Sequence, residues 1–302
     1  MAKGLSKLLI IGASGLLGSR LMSQAPARYE VIGCCNPAVD GEDTGIKEHI
    51  DIGSRHQVEH LFDRTRPDAV IMAAAMTNVD NCEKYPDIAF SVNAKGPEYV
   101  AECCKRTGSK LLHVSTDYVF NGNKVGRYSE DDPPDPISVY ASTKLAGERA
   151  VSSILPSAII ARPAVLYGWN PVSKKDNFVT WVLKKLRNNE PAKLFKDQYT
   201  SPTFADDLAR TLLDLIEKDV AGVWNVSGPD CMNRPECGMI IARIFGFDEA
   251  LVVPVLSDSI PLPAKRPKNT CLDVTKVENL LRRKTVSFEE GILKMKEQEG
   301  SL

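Results

Sequence analysis

Two short stretches of this 302-residue chain carry side chains that together could move a proton. Residues 115–117 read Ser115-Thr116-Asp117, and residues 140–144 read Tyr-Ala-Ser-Thr-Lys. Tyr140 and Lys144 are four positions apart, which on a helix turns about 400° and puts both on one face. A phenol titrates near ~10, and a neighbouring ammonium lowers that value by stabilising the phenolate. A phenol tuned this way can protonate the alkoxide formed when hydride reaches a ketone, or take the proton back in reverse. The Thr116 hydroxyl can hydrogen-bond the same oxygen and hold it in line. Each piece has a plainer reading: an exposed helical pair, and a turn or cap after a strand. The elements that carry them decide between the two.

The first half of the chain alternates strand and helix signals. Apolar runs at 8–11, 29–34, 68–72, 111–114 and 158–162 read as strands. They are continuous rather than alternating, as expected when helices cover both sheet faces. Helical patterns cover 16–24, 55–64, 86–104 and 138–153, the last after the stiff turn "DDPPDP" with a serine cap. Repeated β-α units predict right-handed crossovers and an α/β fold of Rossmann type, a doubly wound parallel sheet. Beyond residue 166 the rhythm changes to loops rich in Pro, Asn, Lys and Asp, with sparser regular elements. This predicts a dinucleotide-binding domain over 1–166, with parts of 200–226 folded back onto it, and a smaller substrate-binding domain over 167–302.

The first turn reads Gly12-Ala-Ser14-Gly15-Leu16-Leu17-Gly18. Its glycines suit a tight turn, a close approach to pyrophosphate and close helix–strand packing, with the helix N-terminus facing the phosphates. At the end of the second strand an acidic residue would favour a free ribose 2′-hydroxyl, and an arginine a 2′-phosphate. Cys35 and Asn36 stand there, within "CCNPAVDGED". The missing carboxylate removes a repulsion, so NADP(H) is slightly favoured over NAD(H). Asp51 and Ile52 follow a short third strand and could border the adenine.

Net charge is -1, from 38 Lys and Arg against 39 Asp and Glu. No basic face is evident for nucleic acid, and no apolar stretch has the 18 or more residues of a membrane helix. The start, Met-Ala-Lys-Gly and a short apolar run ending in glycines, reads as a strand rather than a secretory leader, so a cytoplasmic location is expected. The eight cysteines include the adjacent pairs Cys34-Cys35 and Cys103-Cys104, a poor disulfide framework, and read as small buried hydrophobes. Cys231 and Cys237 offer no partnering pair for a metal. "HQVEH" at 56–60 matches a zinc pattern, but it falls in a β-α unit away from the crevice edge and lacks a third ligand. No metal site is expected. Trp169, in the loop after "YG", is a candidate substrate contact. Trp181, Trp224 and His113 read as packing residues.

The stretches "GASGLLG", "AAAMTNVDNCE", "VNAKG", "STDYVFNG", "YASTK" and "RPAVLYG" together resemble an extended short-chain dehydrogenase/reductase. With "DQYTSPTFADDLA" and "AKRPKNTCLD", the chain is similar to the dTDP-4-dehydrorhamnose reductase branch over nearly its whole length. The resemblance implies reduction of the 4-keto group of a nucleotide-linked deoxysugar by NADPH or NADH. It assigns Thr116, Tyr140 and Lys144 to the catalytic set, with Tyr140 and Lys144 also at the cofactor. It puts Asn93 near the cofactor and passes Ala73, Ala74 and Ala75 beside the dinucleotide. Candidate substrate contacts are Thr77, Asp117, Tyr118, Val119 and Asn177, with Arg266 near the substrate diphosphate. A homodimer follows from the resemblance alone. The branch usually carries a tryptophan before "YG" that helps hold substrate, and Val165 stands there instead. The regulatory β subunit of methionine adenosyltransferase resembles the same branch, also lacks that tryptophan, binds dinucleotide and partners methionine adenosyltransferase. That second resemblance implies an NADP-binding subunit with little or no turnover.

Overall fold

The computed structural model describes residues 6–36, 46, 48–172 and 175–300. Of the "CCNPAVDGED" stretch, residues 37–43 lie outside them. The strands of the first half are β1 (Lys7–Ile11), β2 (Glu30–Cys35), β3 (Glu48–His49), β4 (Ala69–Met72), β5 (Lys110–Val114) and β6 (Ile159–Arg162). Those of the second half are β7 (Leu166–Tyr167), β8 (Ala192–Phe195), β9 (Tyr199–Thr200), β10 (Thr203–Phe204), β11 (Gly222–Asn225), β12 (Met232–Asn233) and β13 (Val252–Val255). Seven strands form one sheet in the order β11-β6-β5-β4-β1-β2-β3, and every pairing in it is parallel. The sheet is therefore the doubly wound Rossmann type, with its C-terminal edge as the ligand crevice.

The helices are α1 (Leu16–Gln24), α2 (Arg55–Thr65), α3 (Val79–Lys84), α4 (Pro86–Phe90), α5 (Gly96–Thr107), α6 (Val139–Ile154), α7 (Phe178–Arg187), α8 (Ala205–Glu217), α9 (Arg234–Phe245), α10 (Thr275–Leu281) and α11 (Phe288–Glu299). The single helix expected over 86–104 is broken by a π-turn at Ser91–Lys95. Pro97 has no N–H for the carbonyl four residues back, so the wider turn forms there. The second half is also more regular than its loop-rich composition implied, because five helices occur after residue 166.

Two apolar clusters cover the sheet faces. One joins Leu8, Ile10 and Leu112 to Leu21 of α1 and Leu208 and Leu212 of α8. The other joins Leu9, Ile11 and Val70 to Phe62 of α2 and Val100 of α5. A third, built from Val182 of α7, Ile241 of α9, Ile292 of α11 and Leu194 of β8, stands apart from the sheet. The chain returns to the sheet through α8 and the edge strand β11. Among the described residues no helix is long and apolar enough to cross a membrane.

The expectation for the cysteines is corrected at one pair. Cys231 and Cys271 form a disulfide with their Cα atoms 5.3 Å apart, and the other six form no disulfide and are buried. The two are 40 residues apart in sequence and meet because β12 and the segment at Asn269 both pair with β9. Trp224 is buried as expected, but Trp181 is 36% exposed on α7. His113 lies fully buried in β5.

Candidate active site

Ser138 caps α6 by accepting the Ala141 N–H at 3.3 Å. Glu83 of α3 accepts the Val139 N–H at 2.8 Å and fastens the same end. Tyr140 and Lys144 thus start a firmly held helix and face inward, 8% and 1% exposed. Lys144 Nζ donates to the Val114 carbonyl at the end of β5, at 2.7 Å. Burial lowers the Lys144 pKa to about 8, opposed by the nearby Glu148 carboxylate. Glu148 is itself held by Arg162 of β6 through two hydrogen bonds, 2.9 and 2.7 Å.

Thr116 follows β5 and caps a short turn. Its hydroxyl accepts the Tyr118 N–H at 3.2 Å and donates to Asp117 Oδ1 at 3.1 Å. Burial raises the Tyr140 pKa, and the Thr116 hydroxyl beside the phenol only partly offsets it. This corrects the expectation of a phenol lowered by Lys144: with the ring in an apolar pocket, desolvation of the phenolate dominates. Tyr140 is therefore a protonated phenol at neutral pH. Tyr118 meets it edge-on, ring centroids 6.0 Å apart. Asp117 is buried, and desolvation raises its pKa to about 6 against the Thr270 and Thr116 hydroxyls and the charge of Arg234.

The glycine turn lies at the neighbouring strand end. Gly12 has φ +90, and a Cβ there would sit 2.7 Å from the Ala74 nitrogen. A Cβ on Gly18 would sit 2.0 Å from the Gly12 carbonyl oxygen. Gly15 is exposed and begins α1 with no side-chain cap, so first-turn N–H groups are open to an anion. Ser14 is buried, and the Leu17 side chain packs into the core, leaving its backbone to the turn. These residues fit a dinucleotide pyrophosphate. Asn36 directly follows β2, beside the turn. Asp51 accepts the Gly53 N–H at 2.9 Å and shapes the loop after β3, while Ile52 is buried beneath it.

Several expected contacts have other occupations. Asn93, buried in the π-turn, accepts the Met76 N–H at 2.8 Å and donates to the Met76 carbonyl at 3.1 Å and to Thr143 Oγ1 at 3.3 Å. It pins the loop carrying Ala73, Ala74 and Ala75 to α6 rather than offering its amide to a ligand. Val119 is fully buried among Phe120, Leu145 and Leu272, which leaves it no surface for substrate. The Trp169 indole donates to the Met295 carbonyl of α11 at 2.8 Å and packs on the third cluster. Asn177 caps α7 and donates to the Gly168 carbonyl at 2.7 Å. Arg266 grips Asp80 at 2.6 Å through both nitrogens, near Tyr118, so its charge at the crevice is largely matched. Thr77 is exposed beyond the β4 loop.

Arg234, Phe178 and Asp80 reach this neighbourhood without having stood out in the sequence. Asn233, Pro235 and Glu236 mark a helix start legibly, and the capping box is present. Nothing in that pattern says that the first residue of the helix turns toward Asp117.

Comparison with known proteins gives a consistent picture. The RmlD substrate binding domain matches residues 6–300. The chain is 34% identical over 292 residues to the dTDP-4-dehydrorhamnose reductase of Aggregatibacter actinomycetemcomitans, covering 91% of this chain and 92% of that one. It is 33% identical over 285 residues to a probable low-salt glycan biosynthesis reductase of Haloferax volcanii, covering 94% and 95%. The crystal structure of dTDP-4-dehydrorhamnose reductase from Bacillus anthracis in complex with NADP superposes with a TM-score of 0.87 at 29% identity, covering 98% of this chain and 100% of that one.

Proposed function

The chain belongs to the RmlD substrate binding domain family, and from that premise we propose that it is an NADPH-dependent reductase of the 4-keto group of a nucleotide-linked deoxysugar, of the dTDP-4-dehydrorhamnose type. The observation that carries the reading is the buried Thr116–Tyr140–Lys144 set beside an open glycine turn. When bound, a nicotinamide cofactor supplies the hydride. The chain's own residues supply the rest. Tyr140, held protonated by its burial, donates its proton to the carbonyl oxygen as charge develops there. Thr116 steers the same oxygen when its O–H turns from Asp117 Oδ1 toward it, and Lys144, fixed on the Val114 carbonyl, presents an ammonium below pH about 8. The backbone of Gly12–Gly18 holds the pyrophosphate, and Asn93 keeps the opposite loop in place. NADP rather than NAD, a cytoplasmic location, and the division at residue 166 into cofactor and substrate domains belong to the same reading.

The test is Tyr140→Phe. Ketone-dependent NADPH oxidation should fall roughly 10²–10⁴-fold, the usual worth of a general acid, with NADPH affinity preserved. Turnover near that of the parent would refute the proton-donor role. The alternative of a dinucleotide-binding regulatory subunit draws on Val165 at the position of the missing tryptophan. It predicts NADPH binding, no turnover on any nucleotide sugar, and capture of methionine adenosyltransferase.

A further inference from the structure

Arg234 opens α9, and its backbone is fixed by the Asn233–Glu236 capping box. Its guanidinium carbon lies 4.3 Å above the Phe178 ring, which fixes the plane of the group. Nη1 is buried and makes no hydrogen bond among the described residues. Asp117 Oδ2 is likewise buried and makes no hydrogen bond of normal geometry among the described residues, although the Thr270 hydroxyl acts on the same carboxylate, while Oδ1 is held by Thr116. The Arg234 charge acts electrostatically on both Asp117 and Tyr118, which sets it in their neighbourhood. A buried donor and a buried acceptor, each left open, normally cost stability. Arg266 offers no such opening, because Asp80 takes both of its nitrogens.

We infer that Arg234 is a specificity-determining residue that, with Asp117, receives one hydroxyl of the sugar ring. The hydroxyl oxygen accepts from Nη1, and its proton goes to Oδ2. A neutral hydroxyl fits better than a phosphate, because the Asp117 carboxylate would repel an anion brought to the same place. Thr116 links Asp117 to the Tyr140 phenol, so the hydroxyl held there belongs to a ring carbon near the carbonyl being reduced. This inference rests on the sugar-ketone reading above and adds the residue that selects the sugar.

The test uses the full chain with Arg234→Lys and Arg234→Met, both of which keep a long side chain against Phe178. Two readouts are taken: KM and kcat for the dTDP-4-keto-6-deoxysugar, and calorimetric binding of dTDP-L-rhamnose and, separately, NADPH. Arg234→Met should weaken sugar binding and raise KM roughly 10–150-fold, the range for a hydrogen bond to a charged group. NADPH affinity should stay within about twofold, and Arg234→Lys should recover part of the loss. The parent should also prefer the substrate over a deoxy analogue lacking the ring hydroxyl, and Arg234→Met should lose that preference. Unchanged sugar binding, an equal loss of NADPH affinity, or a preference that survives Arg234→Met would each overturn the inference. Absence of turnover in the parent would refute the reductase reading by itself. The binding arm would still judge Arg234, and a parent that binds no dTDP-sugar overturns both.

Discussion

The Arg162–Glu148 pair behind Lys144 supports a quantitative prediction. The two side chains are 4% and 5% exposed and joined by two hydrogen bonds. Removing one partner leaves an uncompensated buried charge, which costs roughly 3–5 kcal/mol. At ~2.1 cal/mol/K per residue, unfolding a 302-residue chain changes entropy by about 0.6 kcal/mol/K. Arg162→Leu and Glu148→Leu should therefore each lower Tm by about 5–8 °C in scanning calorimetry. The double variant should recover most of that, because neither charge is then stranded and an apolar pair of similar size is close to neutral. The pair also acts on the site: the Glu148 carboxylate raises the pKa of Lys144, so Glu148→Leu should lower it further. Single variants costing less than about 1 kcal/mol, or a double variant as unstable as the two losses added together, would refute the reasoning.

Three further predictions follow from the same geometry. Asp117 has its pKa raised from 3.8 to about 6 by burial, so between those values the folded chain binds more protons than the unfolded one. Stability should fall as pH rises through that window, and Asp117→Asn should gain on the order of 2–4 kcal/mol at pH 7 and nothing near pH 3; a variant no more stable at pH 7 contradicts this. Alkylation of denatured, unreduced protein should label the other six cysteines and not Cys231 or Cys271, and Cys271→Ser should lose about 4 kcal/mol by the loop-closure relation; eight labels without reductant would show that the bond does not form. Gly18→Ala would drive a Cβ to 2.0 Å from the Gly12 carbonyl, so fluorescence titration should show at least a tenfold loss of NADPH affinity. Affinity equal to the parent's would mean that the turn does not bind the dinucleotide.

The strands, the glycine turn and the helix carrying Tyr140 and Lys144 were legible because each is encoded locally, by an apolar run, a spacing or a cap. Interactions that depend on long-range approach were not. Asn93 looked like a ligand contact, but the π-turn that aims it at Met76 arises from Pro97 and from the close approach of α6 at Gly147. The Tyr140 pKa depends on how dry its pocket is, which spacing does not record. Val119 follows the partly buried Tyr118 but is covered by Leu272 from far along the chain. Cys231 and Cys271 are brought together by two extended segments with no shared motif. Arg234 reads in sequence as an ordinary first residue of a capped helix, and only the fold sets it beside Asp117.

The central claim is tested most directly by mixing the purified chain with NADPH and dTDP-4-dehydrorhamnose and following absorbance at the nicotinamide band. The account predicts NADPH oxidation that depends on the keto sugar, turns over at ordinary enzyme rates of about 1–10³ per second, and yields a reduced sugar nucleotide. Tight NADPH binding with no sugar-dependent oxidation would contradict it and leave the regulatory-subunit reading standing.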